Sequence, residues 1–181
     1  MPRITENKDS QVLLLQQNLA AIRKIAGWTA EQLADKIGVT KQTISNLETG
    51  KSPMNLTQYI AIRAIFDHEI ETNKENTVLP QVIAILLDKG DELNEEDYAK
   101  VKEAINTVSI SAAGGVTGAT LASIFGGLLT SIPTSAAILG VAGFALGPFG
   151  IIGSAIGGAV AGTWLNKILK KDRENKENKE K

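Results

Sequence analysis

The sequence predicts an all-α architecture: an N-terminal helix-turn-helix bundle, an acidic helical linker, a Gly/Ala-rich hydrophobic helical hairpin and a charged tail. Three observations carry this prediction. Over the first 66 positions, apolar residues recur three and four apart between Thr and Gly punctuation, as short capped helices require. Charge is segmented: eight basic and five acidic side chains lie in residues 1–63, four and eleven in 64–103, none in 104–166, and seven and four in 167–181. Finally, 13 of the 17 glycines fall within the uncharged stretch. The formal charge of −1 on 181 residues therefore conceals four parts, 1–66, 67–103, 104–166 and 167–181, rather than one uniform domain.

The first helix is expected from Val12 to Ile25, with Leu14, Leu15, Leu19, Ile22 and Ile25 on its apolar face and Gly27 as its stop. Thr29 and Gln32 stand three apart as a capping box opening a second helix, Ala30 to about Ile37, whose inward face is Leu33, Ala34 and Ile37. Gly38 supplies a left-handed turn. Thr40 then caps a third helix, Lys41 to about Thr49, with Ile44 and Leu47 inward and Gly50 as its stop. Two short helices joined by Gly38-Val39-Thr40, with the small Ala34 at their closest approach, describe a helix-turn-helix. A fourth helix, Leu56 to about Phe66, closes the core with Leu56, Ile60, Ile62, Ile65 and Phe66.

The stretch IRKIAGWTAEQLADKIGVTKQTISNLETGKSPMNLTQYIAI, and above all its GVTKQTISNLETGK segment, resembles the Cro/CI-type (XRE-family) DNA-binding domain of phage and bacterial repressors, with its lambda-repressor-like fold. The resemblance covers about a quarter of the chain, from Ile22 to about Phe66. It implies that the third helix lies in the major groove and that Lys41, Gln42, Thr43 and Asn46 read bases. These side chains are chemically suited to base edges, since Gln and Asn pair with adenine N6/N7, Lys donates to guanine O6/N7, and Thr meets the thymine methyl. Thr40, Thr49, Lys51 and Ser52 would contact the DNA backbone and set register. At Ala30 the sequence departs from the family, which usually carries a phosphate-contacting Gln there. With a head of only three net positive charges, affinity is expected to depend on a homodimer or higher homo-oligomer.

Residues 67–79 read as a loop, and Pro80 as the first position of a helix over Gln81 to about Lys89. Its broad face of Val82, Ile83, Ile85, Leu86 and Leu87 suits packing on the bundle or pairing with a second copy. After Gly90, the segment DELNEEDYAKVKEAI offers a helix with Leu93, Tyr98, Val101 and Ile105 as its stripe. Asp91, Glu92, Glu95, Glu96 and Asp97 lack the ligand order of a calcium loop and fit a helix N-terminus instead.

In the uncharged third, Gly143 and Gly147, Gly153 and Gly157, and Gly158 and Gly162 stand four apart. This spacing resembles a glycine-zipper membrane segment, in which small residues let helices pack closely. Val108–Ile132 and Phe149–Asn166 are the two expected spans of a hairpin, with Trp164 at the interface and Lys167, Lys170, Lys171 and Arg173 after it. That reading places the DNA-binding part in the cytoplasm, associated with membrane lipid of the cytoplasmic membrane through residues 108–166. Because Ser109, Ser111, Thr117, Thr120, Ser123, Thr130 and Ser131 dilute the first span, an assembly core buried within a soluble oligomer is the alternative. A third reading makes this region a pore-forming or permeabilising effector governed by the helix-turn-helix.

With no cysteine there is no disulfide, thiolate metal site or cysteine nucleophile. The one histidine, His68, sits among Phe66, Asp67 and Glu69 as on a solvated helix end. No nucleophile, base and orienting group can be assembled, so the sequence points away from an enzyme and implies no metal or cofactor. Gly114-Gly115 lacks the preceding strand and following Lys of a phosphate-binding loop. MPRITENKDSQ has no apolar core, so no signal peptide is expected, and the KKDRENKENKEK tail reads as disordered.

Overall fold

The computed structural model describes residues 3–88, 90, 93–130 and 132, with the backbone alone for 3–9. These residues form α1 (Arg3–Ile25), α2 (Ala30–Ile37), α3 (Lys41–Glu48), α4 (Leu56–Thr72), α5 (Val78–Ile83), a π-helical turn (Ala84–Asp88), α6 (Glu95–Ala113) and α7 (Gly118–Leu129). No strand occurs among the described residues. Leu15, Leu19, Ile22 and Ile25 of α1 share one buried cluster with Leu33, Ile44, Leu47, Ile62, Phe66, Val82, Leu86, Val101, Ile105 and Phe125. A single core thus runs from the helix-turn-helix to α7. In it, α1 packs against α3 through α6 and the π-turn.

α1 begins at Arg3, well before the expected Val12, because the added turns are polar and leave no apolar periodicity. Residues at its N-terminal end find partners far along the chain: Gln11 Nε2 donates to Leu87 O at 3.3 Å. α4 likewise continues past Phe66 to Thr72, so half of the expected 67–79 loop is helix. The i, i+4 pair of Arg63 and Asp67 (3.1 Å) bridges the point where a loop was expected to start. The expected boundary after residue 66 therefore falls inside α4, and the one after residue 103 inside α6.

The fifth helix starts at Val78, one turn earlier than expected, and passes at Ala84 into the π-turn. Pro80 sits within its first turn, where no intrahelical N–H is needed. The segment is buried nearly all round: Val78, Leu79, Val82, Ile83, Ile85, Leu86 and Leu87 all lie inside. Its broad apolar face is therefore spent on this chain's own core and is not available to a second copy. The added residue of the π-turn accompanies a close approach of Asp88 to Arg63, whose Nη2 donates to both Asp88 oxygens at 2.9 and 3.1 Å.

Arg63 is 1% exposed and is held between Asp67 and Asp88. Burial works against its charge, but Asp88 and then Asp67 more than offset this, so its pKa lies above the ordinary arginine value. Tyr59 lies beside it, equally buried, with its hydroxyl donating to Gln11 Oε1 at 3.4 Å. Removing either partner of such an ion pair leaves an uncompensated buried charge, which costs several kcal/mol, so this network fixes the relation of α4 to the π-turn.

α6 opens on Asn94, whose Oδ1 accepts from the Asp97 N–H at 2.8 Å while its Nδ2 donates to Asp97 Oδ2 at 3.0 Å. Glu95, Glu96 and Asp97 occupy its first turn, where carboxylates meet the positive end of the helix. Val101 and Ile105 are buried and Leu93 and Tyr98 half-buried, as the stripe requires.

The expected first span, Val108–Ile132, is not one helix. α6 stops at Ala113, the Val116 N–H caps it by donating to Ser111 O at 3.0 Å, and Gly115 takes the left-handed φ of 89° that lets the chain turn back. α7 then packs Leu121, Phe125 and Leu129 into the shared core. No helix among the described residues is long and apolar enough to cross a membrane. The remaining expectations for this region, including Gly143, Gly147, Gly153, Gly157, Gly158, Gly162 and the second span, lie outside the described residues.

Burial pushes the Tyr59 phenol up to about 12, the Arg63 guanidinium opposing the shift and the Asp88 and Asp67 carboxylates adding to it. The raised value gives the sign of a pH effect. Below pH 10.0 the phenol is protonated folded and unfolded, and its contribution is constant; between there and about pH 12 only the unfolded chain ionises. Urea titrations should therefore show stability falling across that alkaline window, and Tyr59→Phe should flatten the fall relative to wild type. Equal slopes for the two proteins would contradict this account of Tyr59.

Candidate nucleic-acid interface

The turn between α2 and α3 follows from local chemistry. Thr29 Oγ1 accepts from the Gln32 N–H (3.1 Å) while Gln32 Oε1 accepts from the Thr29 N–H (2.7 Å), completing the capping box read from the sequence. Gly38, at φ 71°, ends α2, and the Val39 N–H returns to Ala34 O at 3.0 Å. Only a residue without Cβ takes that conformation at little cost. Thr40 Oγ1 then accepts from the Thr43 N–H at 3.2 Å, and α3 starts at Lys41 as expected.

Ile44 and Leu47 turn inward and are fully buried, while Lys41 and Gln42 are exposed and Thr43 and Asn46 half-exposed. The structure thus places the four expected base readers on the outer side of α3. Gln42 Nε2 donates to Asn46 Oδ1 at 2.9 Å, a bond between successive turns. That bond engages one amide hydrogen of Gln42 and the oxygen of Asn46, and does not use Gln42 Oε1 or the Asn46 amide hydrogens. The hydroxyls of Thr40 and Thr43 lie 3.0 Å apart.

The four expected backbone contacts are less alike. Lys51 is exposed just beyond the helix and Ser52 is half-exposed. The Thr49 hydroxyl donates to Ser45 O at 2.8 Å, so its proton is engaged within α3. Thr40 is exposed, its oxygen accepting from the Thr43 N–H and lying 3.0 Å from the Thr43 hydroxyl.

What fixes α3 in place was not read from the sequence. Arg23, in the last turn of α1, donates from Nε to Glu48 Oε1 at 2.6 Å and from Nη2 to Glu48 Oε2 at 3.1 Å, and its Nη1 reaches Trp28 O at 2.7 Å. The side chains are only 11% and 12% exposed, which makes this a bidentate and largely desolvated pair. It also cancels the only acid on α3. Trp28 stacks on Phe66 at 5.5 Å, and Lys36 Nζ sits 4.6 Å above the same Trp28 ring. The available signal was an arginine and a glutamate at the edge of each helix's apolar face, 25 positions apart. No group of His, Asp or Glu suited to a metal occurs among the described residues.

Glu48→Gln should leave the Arg23 guanidinium half-paired and lower stability by about 3 kcal/mol, with loss of DNA affinity beyond the unfolded fraction. Urea unfolding and fluorescence anisotropy on the same samples check this. A variant as stable and as tight-binding as wild type would show that the pair does not anchor α3.

A helix-turn-helix family model matches residues 19–67, from Leu19 in the last two turns of α1 to Asp67 in α4. No curated protein and no solved structure matches the chain. The matched segment contains every expected base- and backbone-contacting residue, whereas residues 3–18 of α1 and all of α5 to α7 lie outside it. Residues 19–67 are thus similar to a helix-turn-helix domain, and their fold in α2 and α3 agrees with that likeness.

Proposed function

We propose that this chain is a sequence-specific, repressor-like DNA-binding regulator that lays α3 in the major groove of double-stranded DNA. Lys41, Gln42, Thr43 and Asn46 read bases, and Thr40, Lys51 and Ser52, with Thr49 after release of its internal bond, hold the backbone. The observation that carries this reading is the polar, acid-free outer face of α3 on a helix locked from behind by Arg23 and Glu48. The Gln42–Asn46 bond supports a finer reading. The Gln42 Oε1 and Asn46 amide hydrogens that it does not use match adenine N6–H and N7, so the two amides can act as one reader. A modest basic charge fits a protein that binds a short palindromic operator as a homodimer, where two half-sites share the work.

For the uncharged third, the burial of Leu121, Phe125 and Leu129 in this chain's own core supports intramolecular packing over a spanning hairpin for residues 118–129. Membrane association of residues 133–166 is supported by the four-residue glycine spacing, the uncharged stretch Phe149–Asn166, Trp164 and the basic residues that follow it.

The test is binding to a duplex selected from a random library by the full chain, compared with a shuffled duplex. Gln42→Ala and Asn46→Ala should each weaken specific binding by about 1–3 kcal/mol for each bidentate pair lost and spare binding to the shuffled duplex. A parallel fall on both duplexes would contradict the assignment of these residues as base readers.

A further inference from the structure

The loop between α3 and α4, residues 49–55, is poor in internal hydrogen bonds. Gly50 takes a left-handed φ of 70°, and Pro53 has no N–H to donate. The Gly50 N–H reaches Leu47 O at 3.2 Å and the Ser52 N–H reaches Asn46 O at 3.3 Å. At its two ends Thr49 bonds back to Ser45 O and Asn55 exchanges bonds with Gln58 at the start of α4, and between them the loop is held by one side chain from a distant helix. Gln16 Nε2 donates to Leu47 O at 3.0 Å and to Ser52 O at 2.7 Å, and its Oε1 accepts from the Met54 N–H at 2.9 Å.

A single primary amide therefore uses both its hydrogens and its oxygen on three backbone groups, spanning the loop from the end of α3 to the start of α4. Gln16 is half-buried and the Met54 side chain is buried against the core, so water is a limited substitute for these bonds. Lys51 is the exposed cation carried between the two anchored carbonyls.

We propose that Gln16, three residues outside the matched helix-turn-helix segment, is the positioning residue that presents Lys51 and Ser52 to DNA phosphates. This rests on the DNA-binding reading above and assigns Gln16 no contact with DNA. An amide that fixes the loop makes the phosphate contact of Lys51 independent of loop ordering on binding. Its loss should appear in the electrostatic part of affinity and leave base discrimination intact.

The test uses the full chain and a short fluorescein-labelled duplex of mixed sequence, titrated between about 50 and 200 mM salt. Lys51→Ala should reduce the slope of log K against log salt by about 0.9, the value of one phosphate contact. Gln16→Ala should reduce it by a similar amount, and the double variant by no more than either alone. Gln16→Glu keeps the shape and the acceptor for Met54 but turns a carboxylate toward two carbonyls, so it should lose the same slope. It serves as the second variant if Gln16→Ala folds poorly by circular dichroism. If Lys51→Ala lowers the slope while both Gln16 variants keep the wild-type value, the positioning role is overturned and the DNA reading stands. Additive losses in the double variant would also overturn it. If Lys51→Ala itself leaves the slope unchanged, the loop does not meet phosphate and both readings of it fail.

Discussion

Burial of α1 on several sides at once is the constraint on which the rest of this structure depends. Its apolar face gives Leu15, Leu19, Ile22 and Ile25 to a cluster that also takes in residues of α2, α3, α4, α6 and α7. Its polar positions are used as fully as its apolar ones. Gln11 reaches the π-turn, Gln16 the loop after α3, and Arg23 the last residue of α3. A helix so surrounded cannot shift for one neighbour without disturbing the others, because close-packed interiors transmit displacement rather than absorb it. α3 and the later helices are therefore set on one support.

Two arginines divide the electrostatic work. Arg23 joins α1 to α3 and removes the only negative charge of α3 from the field that a phosphate would meet. Arg63 joins α4 to the π-turn through Asp88, deep in the core. Neither pair is a surface ornament worth a few tenths of a kcal/mol, since both are largely out of water and each engages both oxygens of one carboxylate. Their value lies in orientation: a planar guanidinium facing a carboxylate admits one relative geometry of the helices that carry them.

The parts of the fold legible in the sequence are those whose causes are local. Thr29, Gln32, Gly38 and Thr40 act within a few residues of themselves, and the boundaries of α2 and α3 follow from them directly. What escaped depends on distant partners. The polar start of α1 and the extension of α4 through Asp67 to Thr72 carry no apolar rhythm; Gln11 finds Leu87 O 76 positions away, and Asp67 pairs with an Arg63 that Asp88 also holds. The π-turn follows a run of apolar residues buried on every side, where periodicity gives no phase. The break at Gly114 and Gly115 was hidden for a different reason: low charge and many small residues resemble a membrane segment, while the left-handed φ of Gly115 makes them a turn. The outward placement of Lys41, Gln42, Thr43 and Asn46 was legible, but Arg23, Glu48 and Gln16, which hold them or their loop in position, required the three-dimensional arrangement.

The most direct test of α1 as the common support is native-state hydrogen exchange of the full chain under increasing denaturant. Amides of Leu19 and Ile22 in α1, Ile62 in α4 and Ile105 in α6 should converge on one opening free energy, because the residues share a single buried cluster. If Ile105 instead opens at a markedly lower free energy while Leu19 and Ile22 stay protected, α6 is an independent appendage and α1 supports the helix-turn-helix alone.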